Sequence, residues 1–474
     1  MRIIFFFLAV LAMPTTAQTA RAEDKPNVVL IVMDNLGWGE IGVYGGGILR
    51  GAETPRLDAL AAEGMRLLNF NVETQCTPSR SALMTGRHPI RSGTTKVVWG
   101  QLYGMTQWEI TMAEMLSEQG YATGMFGKWH LGDTKGRFPT DQGFDEWYGI
   151  ANTTDESLYT EGFQFDRKAG DVPHIAQSVK GQEPEEVEVY NRESRRLIDA
   201  EIAKRTIDFM ERSVESGKPF FAYVPFTLVH LPTLPHPDFE GKTGNGNWAD
   251  VLAEVDHRAG QILDAIDNLK IRDNTVVIWM SENGPEEIFP HQGTAGPWRG
   301  TYFTALEGSL RTPFLIRWPG KIKPGAISNE IVHTTDLYPT IARITGAKVP
   351  SDRIIDGVDQ YDFLTGKNNK SAREGFPVYN GDLLQAYKWR NWKLHFAVQK
   401  TMRSVIERPG MPRLYNLLID PKEQYDLIEK GGRAGEAHFW VMPPISKLVG
   451  EHLASLKREP PIPLGTRDPY VPAK

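Results

Sequence analysis

Three apolar runs constrain this chain more than anything else in it. They are Asn27 to Met33 (Asn-Val-Val-Leu-Ile-Val-Met), Pro219 to Phe226 (Pro-Phe-Phe-Ala-Tyr-Val-Pro-Phe) and Thr275 to Met280 (Thr-Val-Val-Ile-Trp-Met). Short continuous runs of β-branched and aromatic residues read as strands covered on both faces. Leu67 to Val72, Tyr121 to Phe126 and Thr312 to Arg317 read as further strands. The segments between them carry helix signals. Thr54-Pro55 opens a helix that runs to about Glu63 and stops at Gly64. Thr111 to Gln119, Arg192 to Val214, Trp248 to Leu269 and Thr335 to Thr345 also read as helices. Strand–helix alternation over this length predicts an α/β fold, with a large, mostly parallel central sheet sandwiched by helices. Asp141 to Ile150 reads as surface loop. The acidic, glycine-containing stretch 152–188 reads as an insertion that walls a cleft.

Near residues 365–375 the composition turns polar. Val378-Tyr379, Lys393 to Val398 and Leu414 to Leu418 then read as short antiparallel strands, and Val441 to Leu456 as a helix. The expected organisation is a signal peptide (1–22), a main α/β domain (23–365) and a C-terminal subdomain (366–474). The signal peptide rests on Arg2, the apolar stretch Ile3 to Met13 and the small-x-small site Ala20-Arg21-Ala22. That stretch is too short to span a bilayer, so export to the periplasm or beyond is expected, with no stable membrane insertion after cleavage. A net charge of −6 argues against a nucleic-acid partner. With one cysteine, no internal disulfide can form.

That cysteine stands in Cys76-Thr77-Pro78-Ser79-Arg80-Ser81-Ala82-Leu83-Met84-Thr85-Gly86-Arg87. Thr77-Pro78 reads as a helix start and Gly86 as its stop. Cys76 would then lie at a helix N-terminus, where free amides and the dipole favour negative charge. Alone, a free cysteine in such a place is more readily a buried structural residue. Two acid–amide pairs follow strands: Asp34-Asn35 after the first run and Glu282-Asn283 after the third. Their oxygens suit a hard cation, and calcium takes about 6–8 such ligands. Such pairs also terminate strands as ordinary turn formers.

The Cys76 stretch resembles the sulfatase signature in full, and Gly120-Tyr121-Ala122-Thr123-Gly124-Met125-Phe126-Gly127-Lys128-Trp129-His130-Leu131-Gly132 resembles a second sulfatase stretch. The likeness runs from about Pro26 to about Leu427. It implies an alkaline-phosphatase-type sandwich with a small C-terminal antiparallel sheet plus helix. It also implies a maturation enzyme that converts Cys76 to formylglycine, whose hydrate attacks sulfur beside a divalent cation. The expected cation is calcium ahead of magnesium, held by Asp34, Asn35, Glu282, Asn283 and residue 76. A thiolate would be a soft donor beside such a hard ion, which independently points to modification. By the same resemblance Arg80 orients the diol, Lys128 holds sulfate and hydrate, and His130 bonds the diol. His230 is the sulfate-side histidine, with His236 a competitor. Lys128 and His130, two apart in extended chain, would point the same way.

The chain departs from the family pattern at three places. Asn35 and Glu282 stand where aspartates are usual. Tyr302 stands where a lysine usually precedes the Glu307-Gly308-Ser309-Leu310-Arg311 motif. Arg299, or the Tyr302 hydroxyl, is the candidate replacement. The implied reaction is hydrolysis of a sulfate monoester. Aryl sulfate is the first expectation because Trp38, Trp99 and Trp108 lie in loops; a sulfated carbohydrate is the second. A phosphodiesterase or phosphonate monoester hydrolase, and a silent binder of sulfated glycans, are the rival readings.

Overall fold

The computed structural model describes residues 25–98, 104–288 and 293–472. The expected signal peptide, and Trp99, lie outside the described residues. The ten-stranded main sheet contains β1 (Asn27–Met33), β2 (Met65–Leu67), β4 (Ala122–Lys128), β5 (Glu146–Ile150), β6 (His174–Val179), β7 (Glu185–Val189), β8 (Phe220–Pro225), β9 (Thr275–Ser281), β10 (Phe314–Arg317) and β11 (Ala326–Ser328). Two further strands, β3 (Phe70–Asn71) and β12 (Val332–His333), pair with each other in parallel. The order across the main sheet is β11-β2-β10-β9-β1-β8-β4-β5-β6-β7. The middle, from β9 to β5, is parallel; β10 on one flank and β6 and β7 on the other run antiparallel to their neighbours.

β1 is central and wholly buried, and its pleat explains its apolar sequence. Val29, Ile31 and Met33 face one core with the helices Pro55–Glu63, Arg192–Glu215 and Asn247–Asn268. Val28, Leu30 and Val32 face the other, with the helices Met112–Ser117 and Leu337–Thr345. Side chains alternate sides with a period of two, so a strand with a helical layer on each face has no polar position to spare.

The C-terminal part adds a four-stranded antiparallel sheet: β13 (Gly375–Asn380), β14 (Leu383–Trp389), β15 (Trp392–His395) and β16 (Arg413–Asn416). The helix Met442–Arg458 packs Ile445 against Tyr387, Trp389, Leu394 and Leu414 of that sheet.

Three expectations change. Glu146–Ile150, read as loop, is a sheet strand paired to β4. The 152–188 insertion contains β6 and most of β7, which extend the sheet by a hairpin. Leu67 to Val72 splits into β2 and β3. No helix among the described residues is long and apolar enough to cross a membrane.

Candidate active site

The carboxyl ends of β1, β4, β8 and β9 open onto one buried polar centre, the place where open α/β sheets keep their ligands. The helix behind it runs from Cys76 to Thr85, two residues earlier than Thr77-Pro78 suggests, and every residue in it is buried. Cys76 is its first residue. Gly86 closes it at φ 69°, donating its N–H to the Ala82 carbonyl. A side chain at Gly86 would press on the Tyr338 ring at 2.9 Å.

Cys76 Sγ lies 3.8 Å from Asp34 Oδ1 and 3.8 Å from Asn35 Oδ1. Lys128 Nζ donates to Asp34 Oδ2 at 2.7 Å, and the Thr154 hydroxyl donates to the same oxygen at 3.2 Å. Arg80 donates to the Lys128 carbonyl, pairs with Glu282 and reaches to 3.9 Å from Asp34 Oδ2. A His230 ring nitrogen, Asp34 and Cys76 bring their donor atoms within 4.8 Å of one another. Asn283 donates its amide to Asn35 Oδ1, leaving its own Oδ1 buried without a partner.

Two of these residues sit in left-handed backbone, Asn35 at φ 60° and His130 at φ 59°. Asparagine tolerates that region, whereas histidine there is less common. The expectation that Lys128 and His130 share a side by extended pairing therefore fails. The strand ends at Lys128, and the left-handed turn sets the direction of His130. The His130 ring still comes to the centre, with Nε2 3.4 Å from the Val98 carbonyl and Nδ1 buried and unpartnered. Gly127, at φ 136°, lets β4 close on β8 just before Lys128; a Cβ there would meet the Pro225 carbonyl oxygen at 1.9 Å.

Burial opposes ionisation of Asp34, but Lys128, His230 and Arg80 outweigh it and hold the carboxyl far below its ordinary range. Burial pushes Glu282 up to about 7 against the pull of Arg80, with the Asp34 charge adding to the rise. Burial also drives the Cys76 thiol well above its ordinary value. His130 is pushed well down by burial, then by Lys128 and Arg80.

The proposed ligands behave unequally. Asp34, Asn35 and Asn283 turn oxygens inward or leave one free, and this all-oxygen set fits a hard cation. Glu282 is turned to Arg80, with Oε1 free of partners. Arg299 forms no hydrogen bond or ion pair with the described residues of the centre; its charge is felt by Tyr415 of the C-terminal sheet. Tyr302 is buried, and burial, then the charges of Glu286, Cys76, Asp155 and Asp34, push its phenol well above its ordinary value. His236 sits apart, beside Asp238 and Glu254. Trp38 stacks edge-on against Tyr44 and Trp298, and Trp108 lies between Arg87 and Arg353.

Sequence reasoning misses Glu286 and Thr154. Glu286 is buried; it accepts from the Asn35 amide at 2.5 Å and the Leu231 N–H at 3.1 Å, and lies 3.4 Å from His230 Nδ1. Its signal was present: a second acid in Glu282-Asn283-Gly284-Pro285-Glu286, just past a buried strand. Thr154 lies in the stretch read only as cleft wall.

Three buried cationic or histidine side chains facing a carboxylate cage, at the end of a parallel sheet, suit an enzyme that holds an anionic ester. That is the class of the alkaline-phosphatase superfamily. The sulfatase family model matches residues 26–347, and a model of the N-sulphoglucosamine sulphohydrolase C-terminal region matches residues 302–435. The chain therefore belongs to the sulfatase family and is a sulfatase. It is 34% identical to the N-acetylgalactosamine-6-sulfatase of Canis lupus familiaris, over 92% of this chain and 87% of that one. It is also 34% identical to arylsulfatase A of Homo sapiens, over 86% and 84%. Among solved structures, the PsFucS1 sulfatase from Pseudoalteromonas sp. superposes with a TM-score of 0.86 at 31% identity, over 93% of this chain and 92% of that one.

Proposed function

We infer that the protein hydrolyses a sulfate monoester of a carbohydrate or an aryl alcohol at residue 76, after that residue has been converted to formylglycine. The observation that carries this reading is the seat of Cys76: first residue of a buried helix, 3.8 Å from two inward oxygens, ringed by Lys128, Arg80 and His230. Left as a thiol, residue 76 is a poor nucleophile, because burial keeps it protonated. The aldehyde hydrate supplies an oxygen nucleophile in its place, and a divalent cation on Asp34, Asn35 and Asn283, with calcium ahead of magnesium, supplies charge neutralisation. Lys128 and Arg80 bind the sulfate oxygens and steady the developing charge. His230 holds a proton near the leaving oxygen, and Glu286, touching both His230 and Asn35, fixes their orientation. Tyr302, neutral and buried, takes the position where a lysine is usual and acts by hydrogen bonding. Cation binding is weaker than in a cage with two more aspartates. The relatives' names, N-acetylgalactosamine-6-sulfatase and arylsulfatase A, support both substrate classes. Export to the periplasm or beyond, and a maturation enzyme as partner, complete the reading.

The test is the mass of the peptide bearing residue 76 from native protein. It should be lower than the thiol form by about 18 Da, the change from CH2–SH to CHO. A full thiol mass in a preparation that turns over 4-nitrophenyl sulfate sinks the reading. Faster turnover of an aryl phosphodiester than of the aryl sulfate would assign the centre to the phosphodiester rival.

A further inference from the structure

A cavity of about 870 Å³ is walled by the 152–190 segment, Asp133, Phe138 and the end of β5. Its wall is tied to the centre. Thr154 bonds Asp34, and Asn152 and Glu156, two residues to either side, line the cavity. Tyr190 lines it as well. That residue is fully buried, its hydroxyl has no partner, and after burial its phenol senses Arg195 and Asp199 ahead of Asp34 and Glu156. Asn152 gives its amide N–H to Asp133 at 2.9 Å, and both residues keep one buried side-chain oxygen unpartnered. One hydroxyl and two acceptors thus stand ready in a cavity that also presents the rings of Tyr159, Phe163 and Phe165.

The charge of the lining is one-sided. It holds the carboxylates of Asp133, Asp171, Glu183 and Glu186, the carboxyl of Glu156, and no lysine or arginine among the described residues. Outside it, Lys135 reaches Glu183 at 2.6 Å; inside it, His174 stands 3.5 Å from Glu186. Burial, with Asp155 and Asp133 beside it, pushes Glu156 up to about 8, so at neutral pH it keeps a proton to donate. Hydroxyl-sized hydrogen-bonding groups and aromatic faces suit a sugar ring. A carboxylate-rich wall without cations penalises an anionic one, since like charges brought together cost several kcal/mol.

We propose that this cavity is the leaving-group subsite, and that it selects a neutral hydroxylated ring bearing the single sulfate to be cleaved over a ring that also carries a second sulfate or a carboxylate. The proposal rests on the reading of residue 76 as the reacting centre. It adds a location and a charge rule for the substrate, neither of which that reading supplies.

The experiment compares kcat/KM across the regioisomers of monosulfated hexose and N-acetylhexosamine, each against its disulfated counterpart, with 4-nitrophenyl sulfate reporting the centre alone. The best monosulfated sugar should exceed its disulfated partner by about tenfold or more. Tyr190→Phe should cost the sugar about fivefold more than it costs the aryl sulfate. Asp171→Lys with Glu186→Lys, both on the exposed rim, should narrow the gap between single and double sulfation. Equal or greater turnover of disulfated sugars overturns the proposal. So does a Tyr190→Phe loss that is the same for sugar and aryl sulfate, or turnover of aryl sulfate with no sugar accepted. If no substrate at all is turned over, the reading of the centre fails, and saturation-transfer NMR with the monosulfated sugars then judges the cavity by itself. Signal lost in Tyr190→Phe upholds it, and no signal in the native protein refutes it.

Discussion

Two buried charge clusters in this protein are built to opposite rules. One is the centre around Cys76. The other lies where the C-terminal sheet meets the main domain, among Glu307, Arg311, Lys388, Lys393, His395 and Glu423. In the second, every carboxylate oxygen is taken. Glu307 Oε1 meets Lys393 at 3.0 Å, and its Oε2 meets Lys388 at 2.7 Å as well as Arg311. Glu423 Oε1 meets His395 at 2.7 Å, and its Oε2 takes the Glu307 N–H at 2.7 Å. Lys388 also bonds Asn69 and Asn71 at 2.9 and 2.8 Å. The Cys76 centre, equally dry, leaves Asn283 Oδ1, His130 Nδ1 and Glu282 Oε1 unpartnered. Leaving a buried polar atom unpaired costs about 1–3 kcal/mol. The C-terminal cluster leaves one such atom, His395 Nδ1, and no carboxylate oxygen, so the gaps at the centre, which include carboxylate and amide oxygens, fit room kept for something that arrives.

The sharpest way to break this contrast is Cys76→Ala. Turnover of sulfate ester should fall by at least ~10³-fold while the melting temperature moves little. Rates together with a thermal melt check it, and retained turnover in a clean preparation would refute it. Lys388→Met should do the reverse. It removes one of the three cations around Glu307 and the donor shared by Asn69 and Asn71, and should cost about 1–3 kcal/mol of stability, read by denaturant unfolding, with turnover per folded molecule little changed. Glu286→Ala tests the boundary of the centre. It releases the Asn35 amide and His230, and activity or cation affinity should drop about 10- to 100-fold with only a small shift in melting temperature. The smallest effect concerns acid. Burial opposes ionisation of Asp356, but His88 and Arg91 outweigh it and hold the carboxyl at about 2. A carboxyl lowered on folding adds stability above its unfolded value, near 3.8, and loses it as pH falls through 2. Asp356→Asn should therefore remove about 2 kcal/mol at pH 7 and flatten the loss of stability between pH 4 and pH 2, as followed by unfolding curves.

Much of the fold was legible because a strand buried on both faces leaves a mark that nothing else in the chain imitates. β1, β8 and β9 announce themselves in this way. β5 did not, because Glu146-Trp147-Tyr148-Gly149-Ile150 mixes a charge and a glycine into its run. β7, Glu185-Glu186-Val187-Glu188-Val189, is an exposed edge whose acids deter pairing with other chains, and so it resembles loop. β14 hides Lys388 inside the protein, against the usual rule that lysine stays in water. At the centre, Asp34, Cys76, Arg80, Lys128 and His230 were readable from motifs fixed in the chain. Glu286 left a local sign, an acid four residues past Glu282, but its contacts with Asn35 and His230, like the place of Tyr190, come from what the loops bring near.

The last residue of β13 carries a further consequence. Asn380 accepts from the Gln75 amide at 2.6 Å and donates to the Phe303 carbonyl at 2.7 Å. Those two residues are the immediate neighbours of Cys76 and Tyr302. Ribosomes deliver this clasp only after four-fifths of the polypeptide has emerged, so an unfinished chain holds every main-sheet ingredient of the centre and still lacks its fastening. Completion comes late in synthesis, and a chain that ends before Asn380 lacks the hydrogen bonds that tie Gln75 to Phe303.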